Sequence, residues 1–283
     1  MIKIIHSIPE LQRWSLEQKK QGFTVGLVPT MGFLHEGHLS LIEAARAAGA
    51  DRIAVSIFVN PTQFGQNEDY DRYPRDFEHD RALCEAHHAD VIFAPAVGDM
   101  YEAPVTCWVE ETEISKGLCG LTRPIHFRGV ATVVTKLFNA ALPDIAVFGQ
   151  KDAQQAAVIK RMVRDLNFPV RIIVSPIVRE ADGLALSSRN KYLSADEHAR
   201  ALSISKALFA AKERLESGRE KDALAAAAEI RRALEAAGGK VDYVEALDPD
   251  TMKPVADGAQ RPVLFAVASY FGATRLIDNI RAD

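Results

Sequence analysis

Residues 25–49, VGLVPTMGFLHEGHLSLIEAARAAG, restrict the fold more than any other stretch of the chain. Val25, Gly26, Leu27 and Val28 form a short apolar run, and Pro29 is expected to end its ladder because proline has no backbone donor. Gly32 and Gly37 permit a tight turn and let the backbone approach a ligand closely. Leu39, Leu41, Ile42, Ala45 and Ala48 then recur at helical spacing, with Gly49 as the stop. A second apolar run, Ile53 to Val59, follows at once. Strand, helix and strand at this spacing make a βαβ unit, whose helix begins at the carboxyl edge of a parallel sheet.

His35 and His38 stand at that helix start, three residues apart. The spacing puts both imidazoles on one face of the first turn, beside the unpaired N–H groups and the positive end of the helix dipole. Such a corner attracts phosphate. The plainer reading, one ring capping a turn and the other exposed, suits a lone histidine better than a pair flanking Gly37. A zinc site fits poorly. The metalloprotease pattern needs histidines at i and i+4, and HEGH is one residue short, with no cysteine or carboxylate cluster to add a ligand. No protein ligand to a metal is assigned.

A chain of 283 residues can bury a substantial core, and one large domain with one smaller is expected. Lys+Arg 34 against Asp+Glu 38 leaves a net charge of −4, which argues against a broad nucleic-acid-binding surface. No run approaches the roughly 18 apolar residues of a membrane span. The opening MIKIIHSIPELQRW has no signal-peptide profile. Cys84, Cys107 and Cys119 are odd in number and form no C-x-x-C pair, so reduced thiols and a cytoplasmic location are expected.

Further along, a charged helix is expected over residues 10–21, a turn at Asn60-Pro61, and a polar segment without periodicity from Thr62 to Arg75. That length without periodicity suggests a functional loop or lid. A helix over 76–87 and a strand over 90–94 follow, then a strand at 105–109. The cationic stretch Leu121–Gly129 gives way to a helix over 130–141. Asp144–Phe148 and Val170–Val174 are further strands around a helix reaching about Leu166. The alternation predicts an α/β fold: a Rossmann-like, doubly wound, mostly parallel sheet over residues 1–175. Residues 176–283 read as a smaller C-terminal α+β domain, with alanine-rich helices over 194–216 and 220–237 and strands over 241–247 and 263–268.

Three more clusters fall after strand ends, where a parallel sheet places its ligands. They are Asn60-Pro61-Thr62-Gln63-Phe64; Gly149-Gln150-Lys151-Asp152 with Gln155; and Ala185-Leu186-Ser187-Ser188-Arg189-Asn190. A lysine at a helix start beside glycine suits a polyphosphate, and small hydroxyls beside arginine add neutral donors to a bidentate fork. Alone, each is as readily a turn, a solvated cation or a linker. Together with the histidines they are expected to converge on one sheet edge.

PTMGFLHEGH, FVNPTQF, RPIHFRGV, FGQKDAQQ and READGLALSSRN, in this order, closely resemble the pantothenate synthetase (pantoate–β-alanine ligase) family. The His-x-x-His turn alone marks only the wider nucleotidyltransferase superfamily, which includes class I aminoacyl-tRNA synthetases. The resemblance implies an ATP-dependent reaction in which pantoate is adenylated, pyrophosphate leaves, and β-alanine displaces AMP to give pantothenate. It implies that Met31, Gly32, Phe33, Leu34, His35, Glu36, Gly37 and His38 line the ATP and pantoate sites, with His38 the catalytic histidine. It implies that Gln63 and Gln155 hold pantoate, that Gln63 borders β-alanine, and that Gly149, Gln150, Lys151, Asp152, Val178, Leu186, Ser187, Ser188 and Arg189 contact ATP. His35, Lys151 and Arg189 join His38 as catalytic groups, Mg²⁺ accompanies ATP, the C-terminal domain closes over the ATP site, and a homodimer is expected. Gln150 stands where the family commonly has Glu, and Leu186 where Met is common; both are near-isosteric.

The residue chemistry agrees. When a carboxylate attacks an α-phosphate two anions approach, so catalysis is mainly positioning and cationic stabilisation. Two neutral glutamines can bind the acid without the ground-state stabilisation that would blunt its nucleophilicity. A nucleotidyltransferase making a dinucleotide would share the turn but would not need Gln63 and Gln155 for a small acid. A non-catalytic nucleotide-binding module would not need phosphate-suited groups at three strand ends.

Overall fold

A computed structural model describes residues 2–66, 68–256 and 262–283. The chain divides into two compact units, residues 1–149 with 158–175 and residues 150–157 with 176–283.

The first unit contains β1 (Lys3–Ile5), α1 (Ile8–Lys20), β2 (Val25–Thr30), α2 (Glu36–Ala47), β3 (Arg52–Ile57), α3 (Phe77–Ala86) and β4 (Val91–Phe93). The short helices α4 (Val97–Met100) and α5 (Cys119–Thr122) precede α6 (His126–Ala141) and β5 (Ile145–Gly149). The helix α7 (Ala153–Asp165) then leads to β6 (Arg171–Ser175). The six strands are parallel, in the order β1-β4-β3-β2-β5-β6. From β2 the chain steps outward through β3 to β4, and from β5 it steps the other way to β6. The switch point therefore lies between neighbouring β2 and β5, which makes the sheet doubly wound.

Strand alternation sends side chains to two cores. Val25, Leu27, Ala54, Val91, Phe93, Ala146 and Phe148 pack with α1 and α6. Val28, Ile53, Val55, Ile92, Ile145 and Val147 pack with Leu39, Leu41 and Ile42 of α2 and Cys84 of α3. Helices on both faces explain why every strand reads as a continuous apolar run rather than an alternating one.

Several expectations are corrected. Pro29 does not end β2, which pairs with β3 through Pro29↔Ser56 and Thr30↔Ile57. The Val25 carbonyl accepts from Asp144 N, so odd-numbered positions face β5, and that ladder stops at Leu27. The missing donor of Pro29 thus falls where no partner is lost. Residues 105–109 are irregular and pair with no strand among the described residues; the Val109 N–H instead donates to Thr132 Oγ1 on α6 at 3.0 Å. The helix α6 begins at His126 rather than residue 130 and includes Gly129. A Cβ there would lie 2.4 Å from the Thr62 carbonyl oxygen and 2.6 Å from Gln63 N, so this glycine is a packing requirement and not a breaker.

The second unit contains α8 (Ala195–Ala201), α9 (Ser203–Glu216), α10 (Ala223–Ala236) and the antiparallel strands β7 (Lys240–Leu247), β8 (Val263–Phe271) and β9 (Thr274–Ala282). The single helix expected over 194–216 is interrupted at Leu202, whose φ −58°, ψ −19° tightens the turn without reversing the chain. The strand β9 lies beyond those expected from sequence, because Asp278 and Asn279 at its middle are poor strand formers. Leu208, Ala211, Ile230 and Leu234 of the helices pack with Phe265, Val267 and Leu276 of the sheet.

Candidate functional site

At the switch point β2 ends on Thr30, whose Oγ1 donates to the Ser56 carbonyl at 2.6 Å and accepts from Gly32 N at 3.2 Å. Gly32 and Phe33 then adopt φ +82° and +53°, a left-handed pair that needs external support. Asp80 of α3, only 1 % exposed, supplies it by accepting from Phe33 N at 2.8 Å and Leu34 N at 2.6 Å. A Cβ on Gly32 would sit 2.9 Å from Asp80 Oδ2, so the glycine leaves room for this carboxylate. Burial pushes the Asp80 carboxyl above its ordinary value, with the two backbone N–H groups opposing. The Leu34 side chain belongs to the core, and Met31 and Phe33 are half-buried.

His35 is the N-cap of α2, and its Nδ1 accepts from Gly37 N at 3.1 Å. The Nδ1 of His38 accepts from His35 N at 3.3 Å, closing a capping box built from two imidazoles. Gly37 allows this fold-over, since a Cβ there would lie 2.9 Å from His35 Cε1. The ring centroids are 4.1 Å apart. Both Nδ1 atoms act as acceptors, so each neutral ring carries its proton on Nε2. The backbone N–H groups of His35 and Gly37 are thus taken up by the two rings, whose Nε2–H groups stand at the first turn of α2, and Glu36 in the same turn is exposed.

Gln63 ends the 3₁₀ turn Pro61–Gln63 and is buried. Its amide orientation is set by Asn60, whose Nδ2 donates to Gln63 Oε1 at 3.0 Å and to the Gly129 carbonyl at 3.2 Å. Asn60 Oδ1 accepts from Thr62 Oγ1 and Tyr101 OH, both at 2.9 Å, so the Asn60 amide cannot rotate without losing several bonds. Gln63 Nε2 consequently faces Met31 Sδ, 3.3 Å away. The Gln63 carbonyl receives His126 Nδ1 at 3.0 Å and Arg123 Nη2 at 3.3 Å. Arg123 also forks onto Glu68, with Nε to Oε1 at 2.8 Å and Nη2 to Oε2. Burial pushes the Glu68 carboxyl up, but Arg123 outweighs it and holds the group below its usual value. The segment 62–75 is thus anchored, with Phe64 packed edge-on against Tyr70 and Tyr73; Asn67 lies outside the described residues.

In the second unit Gln150–Asp152 form a 3₁₀ turn leading into α7, whose first turn carries half-buried Gln155. Lys151 Nζ lies 3.8 Å from Asp152 Oδ2. Residues 178–186 form a small hairpin, in which Arg179 bridges Ala185 and Leu186 N donates to the Val178 carbonyl at 3.0 Å. Ser187 Oγ accepts from Arg189 N at 3.3 Å, and Ser188 and Arg189 follow, half-buried.

Asp80, Asn60 and Arg123 were not singled out individually by sequence. Asp80 sits in a polar-looking helix where an acidic residue reads as solvated. Asn60 reads as a turn former and Arg123 as one of several surface cations. Only contacts between segments far apart in the chain reveal what they hold.

Comparison with known proteins bears on these motifs as a set. A family model described as pantoate-beta-alanine ligase matches residues 3–281. The pantothenate synthetase of Thermotoga petrophila is 54 % identical, over 98 % of this chain and 99 % of that protein. Pantothenate synthetase 1 of Bradyrhizobium diazoefficiens is 52 % identical, over 99 % of this chain and 98 % of that one. Among solved structures, pantothenate synthetase from Thermus thermophilus superposes with a TM-score of 0.90 at 42 % identity, covering 99 % of both chains. Pantoate-beta-alanine ligase from Francisella tularensis, complexed with beta-gamma ATP and beta-alanine, gives 0.82 at 34 % identity, covering 100 % of this chain and 98 % of that one.

Proposed function

The chain belongs to the pantoate–β-alanine ligase family, and on that premise we propose that its ATP-dependent condensation of pantoate with β-alanine runs through a pantoyl adenylate. In the first step a pantoate carboxylate oxygen bonds to the α-phosphorus of ATP and pyrophosphate leaves. In the second the β-alanine amine attacks the activated carbonyl carbon, and AMP departs with that oxygen. The observation that supports this best is the imidazole pair at the start of α2. Its rings offer Nε2–H donors to phosphate oxygens and are committed through Nδ1 to backbone N–H groups, so they suit stabilisation of charge rather than nucleophilic attack.

The remaining roles follow the chemistry. His38 and His35 donate to the α-phosphate, while Lys151 and Arg189 take charge of the polyphosphate. The turn Met31–Gly37, together with Gly149, Gln150, Asp152, Val178, Leu186, Ser187 and Ser188, shapes the nucleotide's surroundings. Gln63, its amide orientation fixed by Asn60, presents Nε2–H to the pantoate carboxylate and borders β-alanine; Gln155 completes the grip on pantoate. Asp152, beside Lys151 and half-exposed, is the carboxylate that would hold a Mg²⁺ accompanying the nucleotide, and the ion would there share the phosphate charge. A homodimer is proposed on family membership alone. No helix among the described residues is long and apolar enough to cross a membrane, and a cytoplasmic location is proposed on the cysteine pattern.

Pantoate labelled with heavy oxygen in both carboxylate positions tests the intermediate. One labelled atom is expected in AMP and one in the amide product, and without β-alanine the enzyme should exchange pyrophosphate into ATP only when pantoate is present. Unlabelled AMP after full turnover, or ADP and phosphate as products, would overturn the adenylate route.

A further inference from the structure

The middle of β9 carries two adjacent buried polar residues, Asp278 and Asn279, each 3 % exposed. Polar groups buried in a strand are unfavourable unless bonded, so their partners show what holds them there. Asn279 Nδ2 donates to the carbonyls of Gln150 at 2.8 Å and Lys151 at 3.0 Å, and Asn279 Oδ1 accepts from Gln150 Nε2 at 3.1 Å. One amide side chain thus directs both its donors and its acceptor oxygen to the turn that bears Lys151. Asp278 takes the Arg179 guanidinium as a fork, at 2.7 and 3.0 Å, and also accepts from Asn279 N at 2.8 Å. Arg179 donates in turn to the Gly183 carbonyl at 3.2 Å, which ties down the hairpin leading to Leu186–Arg189. Burial pushes the Asp278 carboxyl up, and the opposing influences include Lys151 as well as Arg179.

Successive strand residues point to opposite faces. One dipeptide therefore grips two different segments: the Gln150–Asp152 turn through Asn279, and the 179–185 hairpin through Asp278. We propose that Asp278-Asn279 is the joint that sets where the Lys151 ammonium and the Ser187–Arg189 segment stand relative to each other, with Asn279 a positioning residue for Lys151. The inference rests on the reading of Lys151 as a polyphosphate group. It assigns a role in the reaction to the C-terminal strand, which contributes none of the motif residues.

Asn279→Asp tests it. The substitution is near-isosteric and keeps an oxygen for Gln150, but it turns a carboxylate toward two carbonyls in place of two donors. Pantoate-dependent pyrophosphate exchange into ATP is measured for wild type, Asn279→Asp, Lys151→Ala and the double variant, with unfolding followed in parallel. A displacement of about 1 Å can slow a reaction roughly a hundredfold, and Asn279→Asp is expected to lower the exchange kcat by about that factor. The double variant should be no slower than Lys151→Ala alone, because there is no ammonium left to misplace. Wild-type exchange in Asn279→Asp, or slowing that multiplies with Lys151→Ala, overturns the joint. If Asn279→Asp does not fold, Asn279→Ser frees the turn without adding charge and is read by the same two criteria. Wild-type exchange in Lys151→Ala would instead remove the reading of Lys151 itself.

Discussion

Asp80→Asn isolates the support beneath the Gly32–Leu34 turn. Wild-type Asp80 accepts two backbone N–H groups, from Phe33 and Leu34. Asparagine keeps one acceptor oxygen and turns a second donor group toward the other N–H. A buried donor left unpaired costs about 1–3 kcal/mol. Two donors are then left unpaired, the backbone N–H and the asparagine NH2 facing it, and relief of the buried charge offsets part of their cost, so the net loss is about 2 kcal/mol. With a urea slope of about 2 kcal/mol/M, the unfolding midpoint should fall by about 1 M. The freed turn, no longer held with Phe33 at φ +53°, relaxes and carries His35 with it. Misplacement on that scale is expected to slow pantoate-dependent pyrophosphate exchange by about a hundredfold. The pH dependence has a definite sign. The Asp80 pKa is raised in the fold, so its contribution to stability is fully present below the unfolded value and declines as pH rises through the raised one. The stability gap between wild type and Asp80→Asn should therefore narrow with rising pH across that window. A wild-type midpoint together with a wild-type exchange rate would refute the assignment of Asp80 as the anchor of the turn.

Two other outcomes are expected. Gly129→Ala should destabilise by about 1–3 kcal/mol although alanine is the better helix former, because its Cβ would lie 2.4 Å from the Thr62 carbonyl oxygen; a raised melting temperature would contradict this packing. Protection from hydrogen exchange in residues 62–75, taken relative to the intrinsic exchange rate at each pH, should rise when ATP and pantoate bind, as for a closing lid, and should fall in acid. The Arg123-held Glu68 carboxyl has a lowered pKa, so its stabilising bond is present above the unfolded value of about 4.3 and is lost as pH falls through the folded one; protection insensitive to both ligand and acid counts against an anchored lid.

The sequence alone determined the parts governed by local rules. Apolar runs alternating with helical periodicity require strands covered on two faces, and they predicted the parallel sheet from β2 onward. The glycines around His35 and His38 define a turn that few other residues could form, and the tautomer-setting bonds are made within four residues of chain. The motif set was likewise legible, because each motif is a short contiguous run. What only the tertiary structure decided depends on pairs distant in sequence. Pro29 continues its strand because the β5 ladder has already stopped, and Gly129 sits inside a helix because the Thr62–Gln63 backbone presses against it. Residues 105–109 have the composition of a strand but pair with none among the described residues. Asp80 grips residues 33 and 34 from 47 and 46 positions away, and Asn279 grips Gln150 and Lys151 from 129 and 128. An aspartate or asparagine reads locally as a solvated or turn-forming residue. Its worth as an anchor arises only when folding removes water from it and brings backbone donors or carbonyls within bonding distance.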